Sequence, residues 1–187
     1  FEHPGQPAAT SHVAGGAWEV TGVTPYPERM HLSSMVEMVE SGLFDRALLG
    51  TADQPVTGAD LGGLAKRGAT TLADYPAVVY VGENHPLLPV ALFAAAWRGV
   101  PFVPVNYRLD DAQLNSLVER QPDALVLADP ATAPRVTAGK RVVVFDEWLA
   151  QIPADAEVGE APFDDDEVEV ILYTSGTTAA PKSALLR

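Results

Sequence analysis

The sequence predicts an α/β protein, a mostly parallel sheet with helices on both faces. Three observations predict it. Short, continuous apolar runs recur at Val78–Val81, 100–105, 124–127, 141–145 and 168–173, as strands buried on both faces require. Segments of helical spacing lie between the first of them, and a helix crossing between two apolar strands is the βαβ unit, with its right-handed crossover. The last run empties into small hydroxyl and glycine residues, beyond a strand's carboxyl end, where open α/β sheets gather ligands.

Each element has its own reason. Residues 1–32 are punctuated by Pro and Gly without a sustained period and read as an irregular N-terminal arm, its His3 and His12 solvated. Residues 33–187 read as the α/β unit. Met35, Val36, Met38, Val39 and Leu43 recur at helical spacing behind a cap at Ser33 or Ser34, with Gly42 as the stop and the two methionines as core filler. Segments 47–49 and 55–56 suit a small hairpin. Thr57 and Asp60 have capping-box spacing and open a helix through Leu61, Leu64, Ala65 and Leu72.

Residues 86–97 predict a buried helix, too short and too proline-rich to cross a bilayer. Trp97 is expected in the core. Asn84, Asn106 and Arg108 are expected to be scaffold rather than site, with Asn106 and Arg108 tying the turn after the strand by hydrogen bonds. Asp110 caps a further helix through Leu114, Leu117 and Val118, which Pro122 ends.

Composition narrows the function. With 187 residues, 47% of them hydrophobic, the chain can bury a sizeable core and reads as one domain or a large piece of one. The absence of cysteine excludes disulfides, thiolate metal sites and cysteine nucleophiles, and agrees with a cytoplasmic setting. A net charge of −13 argues against nucleic acid and anionic membrane as partners. The surplus is densest from Asp155 to Glu169, without a single Lys or Arg, and reads as a solvated linker. No stretch reads as a signal peptide or lipidation motif.

The chemistry concentrates in 170–183. Gly176 lets the backbone turn and approach a ligand without a Cβ in the way. Thr174, Ser175, Thr177 and Thr178 supply hydroxyls for phosphate oxygens, and Thr174 and Thr178 are candidates to reach a phosphate-bound Mg²⁺. Lys182 adds a mobile cation, worth about 4 kcal/mol against one phosphate charge at ~4 Å and an effective dielectric near 20. From Gly176 to Ser183 the spacing is also that of a P-loop, but Pro181 replaces the second glycine and removes an amide donor. A divergent P-loop nucleotide-binding module is the reading from another class.

YTSGTTAAPKSALLR resembles the signature loop of the adenylate-forming superfamily, usually YTSGTTGxPKG, with Ala179 and Ser183 standing for two glycines. The stretch GENHPLLPVALFAAAWRGVPFVPVNYRLDDAQLNSLVERQPDALVLAD is similar to the family's segment leading up to that loop. The resemblance implies the N-terminal part of the large domain of an AMP-binding acyl-CoA synthetase, an acid:thiol ligase using ATP, Mg²⁺ and coenzyme A on a carboxylic acid, a fatty acid first. An acyl-AMP ligase or an adenylation domain loading a carrier protein is the alternative. It implies that Thr174, Ser175, Gly176, Thr177, Thr178 and Lys182 hold the phosphates. It implies too that the adenine site, the acyl pocket and the lid with the main adenylation lysine lie downstream. The chain stops at Arg187, where trypsin-like proteases cut, so a fragment is expected, inactive alone and associating with the remainder of its own chain or with another copy.

Overall fold

The computed structural model describes residues 31–162, 164, 166–174 and 182–187. The arm with His3 and His12, and loop residues Ser175, Gly176, Thr177 and Thr178, lie outside the described residues. The described residues open with helix α1 (Leu32–Gly42), a small antiparallel hairpin of β1 (Ala47–Gly50) and β2 (Pro55–Thr57), and helix α2 (Gly58–Thr70). There follow β3 (Val78–Val81), α3 (Leu88–Arg98), β4 (Phe102–Val105), α4 (Asp111–Val118) and β5 (Leu125–Ala128). After a 3₁₀ turn (Ala133–Arg135) come β6 (Arg141–Val144), α5 (Phe145–Gln151), β7 (Val170–Thr174) and β8 (Lys182–Leu186).

The sheet has the order β6-β5-β3-β4-β7-β8, with β6 through β7 parallel. Its parallel strands, β3 to β7, are the predicted apolar runs, and β3 and β5 are buried at every residue because both faces are covered. On one face Val78, Tyr80, Phe102, Leu125 and Leu127 pack with α3 residues Val90, Ala91 and Ala94 and with Phe145 and Trp148 of α5. On the other, Val79, Val81, Val103 and Val126 pack with Leu114, Leu117 and Val118 of α4. Alternation along each strand puts neighbours on opposite faces, which yields two cores from one sheet.

Local signals are borne out where polar side chains cap or tie. Thr57 and Asp60 form the reciprocal capping box, and Asp110 accepts the Gln113 N–H at 2.8 Å. Trp97 is buried, its Nε1 donating to the Gly159 carbonyl at 3.0 Å. Asn106 accepts the Arg108 N–H, as its turn-tying reading expects.

The structure corrects four expectations. The cap position of α1 is His31, whose side chain does not cap the helix, and Ser33 is buried within the first turn. Met35 and Met38 are exposed, 37% and 57%, because the helical spacing fitted two adjacent stripes and the one through Val36 faces inward. Strand β7 is not the last: β8 pairs with it antiparallel, so Lys182 belongs to a strand. Nor is the acidic stretch wholly a solvated linker, since Glu169 accepts the Leu32 N–H at 2.6 Å and fastens α1 to the approach to β7. Helix α5 went unread because its first residue, Phe145, continues the apolar run of β6.

Candidate functional site

Two features converge at the carboxyl ends of the parallel strands. The first is the β7–β8 hairpin. In its register Thr174 stands opposite Lys182 and Val170 opposite Leu186. The Thr174 hydroxyl donates to the Lys182 carbonyl at 3.3 Å. Directly opposed residues of an antiparallel pair share a face, so the hydroxyl and the ammonium-bearing side chain rise from one side of the hairpin. Both residues are exposed.

Thr174 and Lys182 are thus the sequence-predicted site residues that the described structure brings together. They flank the segment holding Ser175, Gly176, Thr177 and Thr178. A hydroxyl on the same face as a cation, at the end of a parallel strand and open to solvent, fits the chemistry of a phosphate chain once its proton turns from the Lys182 carbonyl to the ligand. No group of three or more His, Asp or Glu side chains among the described residues could hold a metal ion, so the described residues offer no protein-only cage for Mg²⁺.

The second feature is a cavity of about 680 Å³ between the ends of β3 and β5. Its position follows from topology. The connection after β3 runs over one face through α3, the connection after β5 over the other through the 3₁₀ turn, and adjacent strands that part this way leave a crevice. Sequence reasoning missed this cavity, because its walls come from separate stretches of chain without a shared motif.

Asp129 organises one wall. It accepts the Glu83 N–H at 2.9 Å and the Thr132 N–H at 2.7 Å. Burial works to raise its pKa, but hydrogen bonds from the Glu83 backbone, the Thr132 side chain and the backbones of Thr132 and Ala131 outweigh it, and the carboxyl lies below its ordinary value. Tyr80 donates to the Glu83 carbonyl. Burial, then the charges of Asp129, Asp146 and Glu83, push the Tyr80 phenol up, so it stays a donor at neutral pH.

On the opposite wall His85 lies 4.7 Å from the Phe145 ring centre. Its Nδ1 accepts the Leu87 N–H at 3.1 Å and its Nε2 is 3.1 Å from Asp146 Oδ1. That pattern assigns the proton to Nε2. Arg135 is bound into the scaffold, donating to Asp111 at 2.7 Å and to the carbonyls of Tyr107 and Leu109 at 2.7 and 2.5 Å. Carboxylates at Glu83, Asp129 and Asp146 give the cavity an acidic lining, so a triphosphate is better matched to the hairpin.

The profile of the AMP-binding enzyme family matches residues 45–187. The chain belongs to this family. Among curated relatives, a feruloyl-CoA synthase of Amycolatopsis is 33% identical over 115 residues, covering 58% of this chain and 22% of the relative. An indoleacetate–CoA ligase of Aromatoleum aromaticum is 31% identical over 154 residues, covering 68% and 29%. The chain therefore spans less than a third of these relatives' length. Among solved structures, VinN with 3-methylaspartate superimposes with a TM-score of 0.72 at 24% identity, covering 83% of this chain and 47% of that one. The AMP complex of the Bacillus subtilis o-succinylbenzoate coenzyme A synthetase gives 0.68 at 23%, covering 79% and 40%. At these identities the structures establish the fold, which is that of the N-terminal part of adenylate-forming enzymes.

Proposed function

We propose that this chain is the phosphate-gripping N-terminal part of an acid:thiol ligase that activates a carboxylate with ATP. A carboxylate oxygen attacks the α-phosphorus, the bond from that phosphorus to the bridging oxygen breaks, and pyrophosphate leaves with the electron pair. The acyl-adenylate is then attacked by a thiol, that of coenzyme A, releasing AMP and leaving a thioester. Catalysis of the first step consists of holding the triphosphate in line and offsetting the charge that gathers on pyrophosphate.

Thr174, Ser175, Thr177 and Thr178 donate to the β- and γ-phosphates in this reading, Gly176 permits the close approach and Lys182 supplies charge. Mg²⁺, held mainly by the phosphates with Thr174 and Thr178 nearby, would offset further charge. The observation that carries the reading is the pairing of Thr174 with Lys182 at the carboxyl end of β7, in a chain of the AMP-binding family.

A fatty acid is the substrate expected from the sequence, and the cytoplasm the setting in which the ligase works. The names of the relatives add aryl and arylalkyl acids to the panel, and a carrier protein is the alternative thiol acceptor. Domain organisation follows the same reading: an arm at 1–32, then an α/β subdomain at 33–187 that associates with the remainder of the ligase. Incubating the full-length enzyme with ATP and a panel of carboxylic acids, with and without coenzyme A, is the deciding experiment. AMP and pyrophosphate support the proposal, whereas ADP and phosphate would return the chain to the P-loop reading.

A further inference from the structure

Backbone pairing joins the hairpin that carries Thr174 and Lys182 to β4 at one end of β7. The β4–β7 register consists of Phe102 with Val170, and the neighbouring backbone bond, Phe102 N–H to the Glu169 carbonyl at 2.8 Å, lies at that same end. From Ile171 onward the recorded partner of β7 is β8, which forms the outer edge of the sheet and is exposed at every residue. Beyond that pair, side chains hold β7 to the core: Ile171 packs on it, and Tyr173, next to Thr174, adds a hydrogen bond. Tyr173 packs into the core beneath α4, its hydroxyl accepts a hydrogen bond from Gln121 Nε2 at 3.0 Å, and the Arg120 guanidinium lies 5.5 Å from its ring centre.

Arg120 and Gln121 follow directly on α4, and backbone bonds from the Arg120 and Gln121 N–H groups to Leu117 and Val118 fix them there. They are thus rigidly attached to the core. Tyr173 adjoins Thr174 on the strand, and alternation turns its side chain to the opposite face. A tether on Tyr173 therefore restrains the backbone beneath Thr174 without competing for its ligand.

We propose that Tyr173 and Gln121 are positioning residues, a brace that sets the loop-bearing end of β7 against the body of the domain. The inference rests on the phosphate-binding reading of that loop. Truncating a single hydrogen bond between partly buried neutral groups lowers affinity by roughly fivefold.

The test uses Tyr173→Phe, Gln121→Ala and their combination. In the full-length enzyme each single variant is expected to raise KM for ATP by about fivefold, with kcat and KM for the acid within about twofold of the parent. The double variant is expected to be no worse than either single one, since both delete the same bond. In the full-length enzyme, without nucleotide, amide hydrogen exchange in 170–186 is expected to quicken while Val78–Val81 stays protected. Additive losses, an equal fall in kcat and acid binding, or unaltered exchange in 170–186 would overturn the brace. Lys182→Ala runs in parallel. If it leaves ATP kinetics unaltered, the phosphate reading fails, and amide exchange alone decides whether the brace exists.

Discussion

Thr174 and Lys182 face each other across an antiparallel hairpin, the threonine hydroxyl 3.3 Å from the lysine carbonyl, so the two ends of the hydroxyl-rich segment are fixed to one another. A loop whose ends are closed by strand pairing needs less ordering when it closes on a ligand, which favours the proposed role of the hydroxyls in phosphate binding.

Lys182 is the charge in that arrangement. Lys182→Ala in the full-length enzyme is expected to lower ATP–pyrophosphate exchange by about 10²–10³, the scale for removing one pre-organised group that meets developing charge. Lys182→Arg should recover part of it. Wild-type exchange in the alanine variant would remove Lys182 from the mechanism.

The 187-residue chain alone is expected to form no adenylate. It covers 22% and 29% of the relatives described above, and the phosphate element is a part of the machinery that adenylation needs. Turnover by purified chain of confirmed mass, measured as pyrophosphate release with a carboxylic acid panel, would contradict this.

Much of the fold was legible because its signals are local. Runs such as 78–81 and 124–127 are apolar without alternation, which two covered faces demand, and Thr57 with Asp60 states a helix start outright. The site was legible only in part. Thr174 and Lys182 were readable from composition and order along the chain. Their opposition across a hairpin was not, because Lys-Ser-Ala-Leu-Leu lacks the β-branched residues and alternation that mark a strand. The crevice between β3 and β5 was invisible for another reason: it exists only once strand order is known, and Asp129, His85 and Asp146 are brought together from two loops and the start of α5.

Asp129 should reveal itself through acid stability. Its folded pKa is depressed, so its contribution is present above the ordinary carboxyl value and is lost as pH falls through the folded value. Asp129→Ala leaves the Glu83 and Thr132 N–H groups without their acceptor, at a cost of about 1–3 kcal/mol at pH 7. Urea melts at pH 7 and pH 3 are the measurement. The deficit of the variant should shrink at the lower pH, and an equal deficit at both would show that the carboxylate's charge is irrelevant.

Glu167 carries the opposite sign. Burial first, then the charges of Asp164 and Glu169, push its carboxyl up, with His31 opposing. A raised folded pKa means stability that is present below the ordinary carboxyl value and lost as pH rises through the folded one. Glu167→Gln removes the like charge at nearly constant volume, and is expected to raise the melting temperature at pH 7 by about 1–3 °C, discounted for solvent screening. Below about pH 4 the gain should vanish, because wild-type Glu167 is then protonated too. A melting temperature unaffected at pH 7 would count against the repulsion.

Backbone geometry gives a sharper contrast, between two glycines at helix ends. Gly99 ends α3 at φ 75°, in the left-handed region, and a Cβ added there would stand 2.5 Å from Pro162 Cγ and 2.8 Å from Glu167 Oε1. Gly42 closes α1 with nothing within 4 Å of the same added atom. Gly99→Ala therefore meets both a strained backbone, about 1–2 kcal/mol, and an overpacked contact, about 1–3 kcal/mol. Gly42→Ala meets neither and gains up to ~1 kcal/mol of helix propensity. Denaturant melts of the two variants should move in opposite directions. The larger shift belongs to Gly99→Ala, because the segment through Pro162 that it displaces leads through Glu169 into β7 and so to the strand bearing Thr174.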